Sequence, residues 1–197
     1  MTGAKRADAT RNVERIVDAA TACLLARPDA TMTEIARAAG LGRVTLYGHF
    51  ASRAELVDAV TARVLERTDR ALDRIDLGGD PRAALVRLLH GTWRQLDESR
   101  GILAAATQEL PEERVWALHE DLAARVERLI ERGRDEAAFR TDMPVGWLLA
   151  VVHHIVHGAA EETAAGRLDP DEAAHLVART AMAVVVPPSA DRAVDTA

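Results

Sequence analysis

The 197-residue chain has a single cysteine, Cys23, which excludes an intramolecular disulfide and any multi-cysteine zinc module. Aromatic residues number only six, and Lys5 is the one lysine among 25 basic residues. No apolar run reaches the roughly 18 residues that a membrane span needs. The N-terminus shows no apolar stretch of signal-peptide type, so a cytoplasmic protein without a membrane partner is expected. Enzyme motifs are missing too. There is no G-x-S-x-G, no phosphate-loop glycine pattern and no H-E-x-x-H, since His119-Glu120 lacks its second histidine. Only Glu172-x-x-His175 fits a carboxylate-bridged dimetal site, which requires two such motifs. Neither catalysis nor a cofactor is expected.

Thirty-nine alanines, with abundant leucine, arginine and glutamate, favour helices, while strand formers other than valine are scarce. With 48% hydrophobic and 28% charged residues, a packed all-helical protein is expected rather than disorder. The net charge of −6 hides an asymmetry. Residues 1–53 hold eight basic against five acidic residues, and residues 54–197 hold 17 against 26. A mildly basic head on an acidic body suits a protein whose first segment meets an anionic polymer.

Punctuation along the chain predicts about nine helices and no strands. A first helix runs from Asp8 to Arg27, with Val13, Ile16, Val17, Ala20, Cys23 and Leu24 on one stripe. Thr33 is an N-cap for a short helix, Glu34–Ala39, and Gly40 a left-handed stop. A second short helix begins at Arg43, with Gly42 as its cap and Leu41 and Leu46 as a hydrophobic staple. Ser52 with Glu55 forms a capping box for a helix to Leu77. Further helices are expected from Asp80-Pro81 to Glu98, Gly101 to Glu109, Pro111 to Arg134, Val145 to Ala165, and Asp169-Pro170 to Val186. Pro187-Pro188 opens an expected disordered tail, 187–197.

Two short helices around a tight glycine turn have the form of a helix-turn-helix. Ile35, Ala36, Ala39, Leu46 and Phe50 would face the stripe holding Ile16 and Ala20. Arg43, Val44, Thr45, Tyr47 and His49 would then face outward. Arginine reads guanine edges and Val or Thr methyls meet thymine methyls in the major groove. Tyr47, His49 and Arg53, with the helix start at Thr33, suit phosphate oxygens. The other reading of the same residues is a helical hairpin with a solvated polar face.

Residues 31–56 resemble the DNA-binding signature of the tetracycline-repressor (TetR) family. The matched features are the threonine before Ile35-Ala36, the Ala39-Gly40-Leu41 turn, Thr45-Leu46-Tyr47-x-His49-Phe50, and Ser52-Arg53-x-x-Leu56. The rest of the chain resembles the family in length and helix number. Two departures stand out: Gly42 replaces the usual Ser or Thr cap, and Pro28 lies where a glycine commonly ends the first helix. The resemblance implies a three-helix head, 1–54, on a six-helix effector-binding and dimerisation body, 55–186. It implies base-edge contacts from Arg43, Val44 and Thr45, and phosphate contacts from Thr33, Tyr47, His49 and Arg53, with Gly42 at the cap. Lys5, Arg6 and Arg11 would form a basic arm on the DNA.

The last two helices of the body are its most apolar. They are either monomer core or, as the resemblance implies, a bundle with a second copy involving Val156, His157, Gly158, Ala174 and Val177. The resemblance also implies a cavity for a small effector, and an apolar lining points to a hydrophobic one. Candidates for its lining are Leu89, Trp93, Leu103, Trp116, Trp147 and Val151, with His90, His119 and His154 as polar points, unless the tryptophans are plain core. His153 and His157 have the i, i+4 spacing of a chelating pair. Satisfied or interfacial histidines, and no metal, are the expectation. The function expected is a dimeric, ligand-responsive transcriptional regulator, a repressor binding a palindromic operator. The alternative is control by a protein partner or a metal.

Overall fold

A computed structural model of the protein describes residues 2–188, with side chains from residue 8 onward. Residues 189–197 of the expected tail, and the Lys5 and Arg6 side chains, lie outside the described residues. Ten α-helices and no strand occur among the described residues: α1 Thr2–Ala26, α2 Met32–Ala38, α3 Arg43–His49, α4 Arg53–Leu72, α5 Pro81–Glu98, α6 Arg100–Glu109, α7 Glu112–Leu118, α8 Glu120–Asp135, α9 Val145–Ala164 and α10 Pro170–Val185. None is long and apolar enough to cross a membrane.

The tenth helix arises because the stretch expected as one helix over 111–134 is two. His119 Nδ1 lies 2.7 Å from the Val115 carbonyl. The ring thus meets the oxygen that the His119 amide would have used in a continuing helix. That amide donates instead to Trp116 at 2.9 Å, and α8 restarts with Glu120 and Asp121 in its first turn. α4 ends at Leu72 rather than Leu77, and residues 73–80 form a loop. Arginines hold that loop: Arg87 donates to the Asp76 and Gly78 carbonyls, and Arg132 to those of Leu77 and Gly79.

The helices divide into two compact units. One comprises α1, α2, α3, α4 to Arg67, α6 and α7; the other comprises α4 from Thr68, α5, α8, α9 and α10. These units are discontinuous in sequence.

The first unit has its own core: Ile16, Val17, Ala20 and Leu24 of α1, Met32, Ile35 and Ala36 of α2, Leu46 of α3, Leu56, Val57 and Val60 of α4, and Ile102, Ala105 and Ala106 of α6, with Ala39 and Phe50. α6 approaches α1 so closely that only glycine fits at 101. A Cβ there would strike the Leu24 carbonyl and lie 2.9 Å from the Leu25 carbonyl. The core of the second unit joins Leu85, Leu88, Leu89 and Trp93 of α5 to Leu129 and Ile130 of α8, Leu148 and Val152 of α9, and Val177 and Val185 of α10. Because α1 backbone and not a flexible side chain blocks position 101, Gly101→Ala should destabilise the protein by about 1–3 kcal/mol. Urea unfolding followed by helical circular dichroism measures this, and an unchanged midpoint would contradict so close an approach.

Candidate nucleic-acid interface

α2 begins one turn-half earlier than its expected cap. Thr31, not Thr33, is the N-cap, and the reason is register: Thr31-x-x-Glu34 has capping-box spacing, whereas Thr33 has Ala36 three residues on. The Thr31 hydroxyl accepts from the Glu34 amide at 3.3 Å, and the Glu34 carboxylate accepts from the Thr31 amide at 2.8 Å. The Thr31 amide and hydroxyl, both donating to the Glu34 carboxylate, together with the paired Arg27, hold that carboxyl down at about 2. Thr33 is released from capping and stands exposed in the first turn. At the other end of α2 the chain turns through Gly40 at φ +64°, a conformation that favours glycine. Arg15 of α1 donates to the Ala39 carbonyl there at 2.8 Å.

α3 contradicts almost every local rule for a helix. Its cap, Gly42, offers no side-chain hydrogen bond, and its first turn has no acid but begins with the cation Arg43. Near the positive end of a helix dipole a cation is disfavoured. Gly48 sits inside the helix, where glycine costs about 1 kcal/mol relative to alanine. Burial holds the segment in place: Leu46 is fully buried and Phe50 nearly so, both in the cluster that also holds core residues of α1, α2 and α4. Leu41 is half-buried in the same cluster, at the staple position before Gly42.

The opposite face is open. Val44 is 87% exposed, an unusual position for a valine, and Arg43, Thr45, Tyr47 and Gly48 stand exposed around it. His49 is half-buried. The Arg43 guanidinium lies 5.4 Å from the centroid of the Tyr47 ring. Around Gly48 a Cβ would meet nothing within 4 Å, so no protein contact demands glycine there. On the helical wheel Gly48 is one turn beyond Val44, at the outermost strip of the helix.

Arg53, expected at a phosphate, has partners within the protein. Its guanidinium turns inward: Nε donates to the Ala30 carbonyl at 3.1 Å, Nη2 to the Pro28 carbonyl, and Nη1 pairs with Glu109 of α6. It braces the α1–α2 turn. The Ser52 box forms in shifted register. The Ser52 hydroxyl accepts from the Glu55 amide at 3.1 Å, while the Glu55 carboxylate accepts from Ala51 at 2.7 Å. Of the expected arm, Arg11 pairs with Asp8 within α1.

The expected effector residues fall in both units. In the second, Leu89 and Trp93 are buried core, Val151 is half-buried, and Trp147 (59% exposed) and His154 are exposed. His154 Nδ1 lies 2.7 Å from the Ala150 carbonyl. In the first, Leu103 and His119 are half-buried and Trp116 is exposed. Among the expected dimer residues, Val156 and Val177 belong to the core of their own unit, and His157, Gly158 and Ala174 are half-buried. Composition and spacing missed Leu176, which is 42% exposed on α10. The His153 and His157 rings stack with centroids 4.1 Å apart, and no group of three or more metal-ligating side chains occurs among the described residues. His90 was expected as a polar point, and its ring meets that of His175 edge-on at 5.3 Å. Its Nε2 is buried without a hydrogen bond among the described residues.

Residues 16–60 match the family model of bacterial regulatory proteins of the tetR family. The HTH-type transcriptional repressor LfrR of Mycolicibacterium smegmatis is 34% identical over 77 residues, 39% of this chain and 41% of LfrR. The uncharacterised HTH-type transcriptional regulator TtgW of Pseudomonas putida is 43% identical over 58 residues, 28% of this chain and 43% of TtgW. The match thus spans less than half the length of either relative. Among solved structures, LfrR in complex with proflavine aligns at a TM-score of 0.66 and 21% identity, covering 91% of this chain and 98% of that one. RolR in complex with resorcinol aligns at 0.70 and 20%, covering 91% and 90%. At these identities the likeness to solved structures is one of fold.

Two outcomes follow from the geometry. Gly48→Ala should raise stability by about 0.5–1 kcal/mol in urea unfolding, yet weaken DNA binding in a titration, because the added methyl stands on the outermost strip. A gain in both would remove any external reason for the glycine. Burial first, then the charges of His175 and Arg94, push the His90 pKa below the usual histidine value. The unfolded chain therefore binds a proton that the folded chain resists. Stability should be fully present above about pH 6.5 and fall as pH drops below it. Thermal melts between pH 7.5 and 5.5 should show this, with a smaller slope for His90→Gln; equal slopes would refute the assignment.

Proposed function

We propose that the chain, whose residues 16–60 match the tetR family model, is a ligand-responsive transcriptional regulator of that type, most simply a repressor, acting as a homodimer on a palindromic operator. The observation that carries this reading is the exposed face of α3. Val44, Arg43, Thr45 and Tyr47 stand in solvent on a helix anchored by Leu46 and Phe50. An α-helix fits the major groove, arginine suits guanine edges, and the Val44 and Thr45 methyls suit thymine. Thr33, Tyr47 and His49 supply phosphate contacts around them, with the α3 start at Gly42 close by. Arg53 fixes the α1–α2 turn that leads into this face.

A single helix-turn-helix reads too few bases for an operator, and two-fold symmetry doubles the site, with half-sites about one helical turn or a multiple apart. The surface proposed for pairing with a second copy is formed by α9 and α10, where Trp147, Gly158, Ala174 and Leu176 lie in the open or half-buried. Release is assigned to a small hydrophobic effector in the helical body. LfrR with proflavine and RolR with resorcinol are relatives of this fold that hold flat aromatic molecules. An effector works only if it binds the released state better than the DNA-bound one.

The test is titration of the purified protein into labelled DNA from upstream of its own gene, with scrambled DNA as control. The expected result is binding at least about 10³-fold tighter than to the scramble at physiological salt, weakening steeply as salt rises. If the upstream region binds no better, selection from a pool of genomic fragments follows. Failure to enrich any fragment would overturn the reading.

A further inference from the structure

Arg43 and Tyr47 are four residues apart on α3, and the guanidinium carbon lies 5.4 Å from the ring centroid. That is within the distance at which an arginine and an aromatic face attract. Nothing else near the start of α3 favours a cation. The first turn has no acid, and the cap gives no side-chain bond. The helix dipole would drive a free guanidinium away from the helix start. The Tyr47 ring, itself 40% exposed, draws it back across the open face beside Val44.

From this placement we infer that Tyr47 is a positioning residue for base reading: its ring holds the Arg43 guanidinium ready for the O6/N7 edge of a guanine in each operator half-site. This rests on the reading of α3 as the operator-binding helix. Arginine owes its match to guanine to a planar fork that donates two parallel hydrogen bonds. A long side chain free in solvent must lose rotamer freedom to make them. The contact with the Tyr47 ring restricts that side chain before DNA arrives, and pre-organisation of this kind is returned as affinity for the right base. The ring and the hydroxyl of Tyr47 then have separable tasks. The ring sets discrimination at one base pair, while the hydroxyl remains available to a phosphate and is indifferent to sequence.

The test compares the wild type with Tyr47→Phe, Tyr47→Leu and Arg43→Ala. Each is titrated against a selected operator and all its single base-pair substitutions at one salt concentration. Tyr47→Phe keeps the ring and should keep the wild-type pattern of base preference, with a uniform loss of affinity. Tyr47→Leu should lose about two- to fivefold of discrimination, at the same G·C pair where Arg43→Ala loses it. Circular dichroism melts confirm the fold of each variant, and Leu46, not Tyr47, is the buried anchor. A Tyr47→Leu variant that weakens every sequence alike and keeps the Arg43-dependent preference would overturn the inference. So would an Arg43→Ala variant with the wild-type preference, and in both cases the operator reading would survive. Wild-type protein that binds every sequence equally would overturn the reading and the inference with it.

Discussion

Arg53, the first residue of α4, reaches back to the Pro28 and Ala30 carbonyls and across to Glu109 on α6. Three separate segments of the first unit are tied by one guanidinium, whose side chain is only 20% exposed. A part-buried cation of this kind is costly to leave unpaired. The α1–α2 turn must therefore keep its shape for the guanidinium to stay satisfied. That turn leads directly into the Thr31 capping box, which starts α2 and thereby sets where α3 leaves the core. Arg15 under Gly40 and the burial of Leu46 complete the placement. The open face of α3 is thus positioned by contacts on its hidden side, and none of its exposed residues is needed to hold it.

Such an arrangement explains why α3 tolerates an uncapped start, a cation at the wrong end of the dipole and an interior glycine. Each is unfavourable for the isolated helix, and tertiary packing overrides them. Conflict between local rule and fold tends to collect where function sets the residue. Position 48 lacks any neighbour that would exclude a methyl, and position 44 exposes a valine. Both features make sense against a partner surface outside the chain.

Much of this was legible in the sequence, and what was not has physical causes. The alternation of apolar stripes and caps marks the helices because burial and capping act over neighbouring residues. The starts of α5 and α10, flagged by proline, and of α9, marked by its apolar run, agree within a residue or two. The Thr33 cap was misplaced because two threonines compete and only the Glu34 register separates them. The split at His119 turns on a side chain taking a carbonyl from its own helix, which periodicity does not encode. The pairing of Arg53 was not legible because Glu109, its partner, lies 56 residues away. The exposed Trp147 and Leu176 were hidden for a different reason: both sit in strongly apolar helices, where pattern alone does not tell the buried side from the open one.

The central claim is that the α3 face enters the major groove with Arg43 at a guanine. Guanine N7 methylation interference on the bound operator tests it most directly. The account predicts one strong guanine in each half-site whose methylation abolishes wild-type binding, with the two half-sites about one helical turn or a multiple apart. Arg43→Ala should be indifferent to methylation at those guanines. Binding that is insensitive to every N7 methyl would contradict major-groove reading by α3. Equal sensitivity in the Arg43→Ala variant would show that another side chain reads the guanine.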